Sequence, residues 1–179
     1  VLQQINAVES DAQLYGRLAG SIVYAGQLMR PESSLILRNR RGQTSLWGHS
    51  VSGDLPIVLV QIEDPANINL IRQLIQAHAY WRLKGLKVDM VIWIEDYAGY
   101  RQSLYDEIIG IIAAGIEASI VGRPGGIYIR SGDQLSADDR LLFQAVARVV
   151  ISDRNGTLAD QMNRRIPTEP VIPNLKPAL

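Results

Sequence analysis

Cysteine is absent from the 179 residues. Its absence excludes a disulfide framework, thiolate zinc sites and redox chemistry at sulfur, and agrees with a reducing compartment. Net charge is missing too: 18 basic residues offset 18 acidic ones. No net field draws the chain to phosphate backbones or anionic lipid, so a nucleic-acid partner is not expected. No uncharged apolar run approaches the ~18 residues of a spanning helix. The amino end has neither a basic segment leading into an apolar block nor a cleavage site, so no membrane insertion by this chain is expected. No Gly-x-Gly-x-x-Gly follows a strand and no Gly-Lys-Ser/Thr element occurs, which removes the usual nucleotide cradles. No cofactor and no metal are implied. Internal repeats and low-complexity segments are also lacking. The chain starts at Val1 without a methionine and ends in a proline-rich stretch from Ile166-Pro167 to Pro177; both ends read as boundaries within a longer polypeptide.

What is present suits one soluble domain that buries roughly 70% of the surface of its unfolded chain. Leu14, Leu18 and Ile22 recur every four residues after Ser10, the stripe of an amphipathic helix, and Asp11 suits its positive end. Arg38 to Gly42 and the run Leu46 to Asp54 read as loop. Residues 56–62 and 88–94 are short, almost continuously apolar and rich in β-branched side chains, as strands covered on both faces should be. Asp64-Pro65 opens a helix that runs through Leu74, His78 and Leu83 to Gly85. Leu104, Ile108, Ile111 and Ile112 mark a second crossover helix. Residues 118–121 and 126–130 are strand candidates around the turn Gly122-Arg123-Pro124-Gly125. Ser136, with Asp139 three residues on, caps a last large helix whose core face is Leu142, Ala145, Val146 and Val149. A short helix follows from Thr157. The alternation predicts an α/β fold: a mostly parallel sheet in Rossmann-like order with helices on both faces, plus an N-terminal helix and a C-terminal extended tail. The expected division is an N-terminal helix and linker over 1–45, an α/β core over 46–152, and a short helix with a proline-rich exit over 153–179.

Open α/β sheets place ligands outside the carboxyl ends of their strands. Glu63 and Asp64, Glu95 and Asp96, and Ser131 to Asp133 occupy those positions. Carboxylates there suit magnesium, but short acidic residues are also favoured at helix starts for capping. The glycine-rich run 122–126 reads as a turn needing positive φ rather than an anion site. Of the two histidines, His78 lies inside a helix at the pitch of Leu74 and reads as a packed imidazole. His49, with Trp47, Ser50, Ser52 and Asp54, has the residue types of a small polar site. Its loop enters the amino end of a strand, and adjacency alone makes no triad; the competing reading is a structural loop tied by its own Ser and Asp side chains. Trp81 and Trp93 read as packed. Trp47, Tyr97 and Tyr100 remain as loop aromatics able to meet a sugar or a neighbouring domain.

The stretch from Leu46-Trp47-Gly48-His49-Ser50-Val51-Ser52-Gly53-Asp54 to Leu59-Val60, followed by Arg72-Gln73-Leu74 and by Ala77 to Leu86, closely resembles the cyclic β-1,2-glucan synthases. The likeness extends upstream through residues 9–24, where Ser10 to Tyr15 looks like a linker helix, and downstream through residues 142–150 to Arg154-Asn155-Gly156-Thr157-Leu158. It covers about nine tenths of the chain, more than a motif coincidence gives. Members of that family are very large inner-membrane proteins whose carboxyl-terminal half resembles family 94 glycoside phosphorylases. This segment looks like the piece between the β-sandwich modules that precede the helical-barrel catalytic domain. The resemblance implies a non-catalytic accessory domain of a membrane-bound parent at the cytoplasmic face, with neighbouring domains as partners. Glycosyl transfer and phosphorolysis belong to other regions, and no catalytic residue carries over. The alternatives are a module that binds β-1,2-glucan, or a small metal-dependent hydrolase built on the acidic strand ends. Candidate ligand-binding residues are Trp47, His49, Ser52, Asp54, Glu63, Glu95, Asp96 and Tyr97.

Overall fold

The computed structural model describes residues 2–24, 42, 44–95, 99 and 101–164. Among them the sheet has four strands, β1 (Ile57–Ile62), β2 (Asp89–Ile94), β3 (Ile127–Ser131) and β4 (Val149–Ser152), in the order β3-β2-β1-β4. All three pairings are parallel, with Val60 opposite both Ile92 and Ile151, and Ile92 opposite Ile129. The helices are α1 (Glu9–Val23), the single turn α2 (Thr44–Trp47), α3 (Ile68–Leu83), α4 (Arg101–Ala113), α5 (Ala137–Val146) and α6 (Leu158–Arg164). The chain steps outward from β1 through α3 and α4 to β3, then α5 returns it to β4 on the other side of β1. The strand order therefore reverses between β1 and β4.

The period of two along each strand splits the core into two layers. Val58, Val60, Ile62, Met90, Ile92, Ile94, Val149 and Ile151 pack with side chains of α1, α3, α4 and α6. Leu59, Val91, Trp93 and Tyr128 pack with Leu46 and Val51 and with Leu142 and Phe143 of α5. Local chemistry sets the helix limits. The Asp64 carboxylate accepts the Ala66 N–H at 2.9 Å, Pro65 stands in the first turn, and Gly85 closes α3 at φ +87°. Ser136 accepts the Asp139 N–H at 3.1 Å to start α5, and Thr157 and Asp160 exchange two bonds at the start of α6.

Two expectations need correction. Residues 118–120 form a 3-10 turn, and Val121 contributes only a bridge to Ile127. The chain must turn sharply there, since a Cβ at Gly126 would overlap the carbonyl oxygen of Ile120. Val149 does not continue a helical face: α5 ends at Val146, and residues 149–152 are the fourth strand.

Candidate functional site

The carboxyl ends of β1, β2 and β4 converge at the strand-order reversal, and their acids are held by the protein's own donors. Asp153, just past β4, is buried, and its Oδ2 accepts the backbone N–H groups of Glu63 and Asp64 at 3.1 and 3.0 Å and Asn67 Nδ2 at 3.1 Å. The Glu63 carboxylate in turn accepts Arg154 Nε at 2.5 Å. Glu95 takes both arms of the Arg140 guanidinium at 2.6 and 2.9 Å, a fork geometry that fixes direction as well as charge. Arg140 also donates to the Gly132 carbonyl at 2.7 Å and lies over the Trp93 ring at 5.5 Å. On the outer strand, Asp133 is bonded by the Ser131 hydroxyl and by Arg101, which hold its carboxyl below the usual range.

These latches enclose a crevice of about 150 Å³ between β1, β4 and α5, walled by Glu63, Glu95, Asp153, Arg140 and Arg154, with Gln61, Gln144 and Ser152 completing the lining. Of the residues singled out from sequence, Glu63 and Glu95 meet here. Asp96 and Tyr97 lie outside the described residues, as does Tyr100. Sequence reasoning missed Asp153, Arg154 and Arg140, which come from elements distant in the chain. A usable signal was present in Gln61, the one polar side chain in the run Ile57–Ile62.

The Trp47 to Asp54 segment forms a separate cluster. Trp47 Nε1 donates to the Ser52 carbonyl at 3.1 Å, and the Asp54 N–H donates to Ser52 Oγ at 3.2 Å. Gly53 and Ser50 both adopt positive φ, at 79° and 65°. His49 Nε2 lies 3.2 Å from Asp139 of α5, and its ring meets Phe143 edge-on at 5.3 Å. Its carbonyl accepts Arg130 Nη2 at 2.7 Å. The loop thus crosses one face of the sheet before entering β1. It brings His49 to α5 rather than assembling His49, Ser52 and Asp54 around one point. Trp47 is 60% exposed.

His78 is buried: Nε2 meets the Val88 carbonyl at 2.8 Å and Nδ1 meets Glu117, whose other oxygen accepts Arg82 Nε at 2.7 Å. Both ring nitrogens face oxygen, which makes the imidazole a bridge between α3, the start of β2 and the segment after α4. Asp89, the first residue of β2, is fully buried. Burial pushes its carboxyl up, against the pull of the Gly125 N–H bonded to Oδ1 at 2.7 Å. Among the described residues, no group of three or more His, Asp or Glu side chains is placed to hold a metal ion, and no helix is long and apolar enough to cross a membrane.

The chain matches no family model. It is similar to the cyclic beta-(1,2)-glucan synthase NdvB of Rhizobium meliloti (strain 1021), 23% identical over 164 residues. That similarity covers 91% of this chain and only 6% of the relative, so the chain spans a small part of the length of the protein it matches.

Proposed function

We propose that the chain is a non-catalytic architectural domain of a much larger polypeptide of the cyclic β-1,2-glucan synthase kind, holding neighbouring sugar-handling modules in fixed relation. The α/β unit that would do so includes α1 and α6, whose Tyr15, Leu18, Ile22, Leu158 and Met162 pack into the same core as the strands. In the parent it sits at the cytoplasmic face of a membrane that other regions span. The observation that carries this reading is the state of the strand-end acids. A hydrolase or metal enzyme on this fold needs carboxylates aimed outward at that edge. Here Asp153, Glu63, Glu95 and Asp133 are bonded by donors of neighbouring strand exits and helices. The similarity along nine tenths of the chain to one small region of a glucan synthase supports the same reading.

The test is direct. Incubated with β-1,2-glucan, with and without inorganic phosphate, the chain should release neither reducing ends nor glucose 1-phosphate. Magnesium should leave the amide resonances of Glu63 and Glu95 unmoved. Turnover that disappears in His49→Ala or Asp54→Ala, or a saturable magnesium shift at those glutamates, would refute the architectural role.

A further inference from the structure

Two groups in the crevice between β1 and β4 are not used by the latches around it. Gln61 stands in β1 among five apolar residues, on the sheet face shared with its register partner Trp93. Gln144 approaches the same space from α5. Both are half-buried, and among the described residues neither carboxamide has a hydrogen-bond partner. Both carboxamides open into the crevice, so each presents a donor and an acceptor to whatever fills it. The position is also where an open parallel sheet receives ligands, at the reversal of strand order.

We propose that this crevice binds a small neutral polyhydroxyl solute, a sugar ring or cyclic polyol, with Gln61 and Gln144 as its main hydrogen-bonding residues. A hydroxyl donates and accepts at once, which is what a pair of carboxamides offers in return. The surrounding wall supplies acceptors from Glu63 and Glu95 and donors from Arg140 and Arg154. Together with Asp153 that makes three carboxylates against two guanidinium groups, so an anion is repelled. A cation gains little, because each acid is already bonded by the protein. At about 150 Å³ the space is on the scale of one ring rather than of a chain. The inference goes beyond the architectural role and stands or falls separately from it.

The experiment is a titration of the ¹⁵N-labelled 179-residue chain with methyl β-D-glucoside, myo-inositol, inorganic phosphate and magnesium in turn. The expected result is saturable shifts at Gln61, Glu63 and Gln144 with one of the two polyols, with a Kd on the order of 1 to 10 mM for so small a ligand. Gln61→Leu and Gln144→Leu should each weaken that binding at least tenfold. Absence of saturation by either polyol up to about 100 mM, saturation by phosphate or magnesium instead, or unchanged binding in the folded variants overturns the proposal. Should Gln61→Leu fail to fold, Gln144→Leu on the helix side decides alone. None of these outcomes bears on glucan turnover, so failure here is distinguishable from failure of the architectural reading.

Discussion

At Gly132 a single added atom would meet one of the latches. A Cβ built on this glycine would lie 2.5 Å from Glu95 Oε2 and 2.6 Å from Arg140 Nη2, inside the fork that joins β2 to α5. Gly132→Ala should therefore push the guanidinium off the carboxylate; because both atoms it meets are the ends of flexible side chains, the cost should stay within about 1 kcal/mol, read as a slightly lower urea midpoint. Asp89 makes a different residue-level prediction. Its carboxyl is held above the ordinary range by burial, whereas in the unfolded chain it ionises near pH 3.9. Between those two values the native state keeps the proton that the unfolded chain releases, so stability falls as pH rises through that window and the full penalty persists above it. Asp89→Asn keeps an oxygen for the Gly125 N–H and removes the ionisation. The variant's unfolding midpoint should gain on the parent's as pH is raised from about 4 to 7; a constant offset would mean burial does not act on this group.

At the scale of elements, the joint between β4 and β1 is made by two carboxylates, Asp153 after β4 and Glu63 after β1. Asp153 ties down the first residues after β1 and the turn that starts α3, so a strand contributed late in the chain orders the exit of the first. Asp153→Ala would leave three donors without that acceptor. The expected cost is about 2 to 3 kcal/mol, with faster hydrogen exchange at the Glu63 and Asp64 amides as the signature. Uniform acceleration across the whole sheet would instead indicate general loss of stability. The same joint explains why the acidic edge misleads when read residue by residue: its carboxylates are bonded by Arg140 of α5, by Arg154 after β4 and by the amides that follow β1.

Across the whole molecule, α1 belongs to the core and not to an appendage. Tyr15, Leu18 and Ile22 are fully buried, and Trp81 Nε1 donates to the Tyr15 carbonyl at 2.9 Å. Burial of three such side chains contributes about 4.5 to 9 kcal/mol at ~1.5 to 3 kcal/mol each, comparable with the total stability of a domain of this size. Deleting residues 1–24 should thus abolish the cooperative unfolding transition and collapse amide dispersion. A truncated chain that unfolds at the parent's midpoint would show that this helix is dispensable.

Much of this fold follows from local chemistry that a sequence displays. The apolar β-branched runs at 57–62 and 89–94, the Asp64-Pro65 start, the Gly85 stop and the Ser136 cap depend on neighbours within a few residues, and each element stands within a residue or so of where those signals put it. The fourth strand was not legible. Val149 and Val150 follow α5 after two residues and fit its periodicity as well as they fit a strand, and only a vacant edge beside β1 decides between the two. The candidate site was legible in half: Glu63 and Glu95 can be placed at strand ends from order alone. Whether they face solvent, a metal or an arginine depends on which distant segments arrive beside them. Arg140 and Arg154 lie 45 and 91 residues away in the chain from the glutamates they hold, and only the return of the chain across β1 brings those charges within hydrogen-bond range.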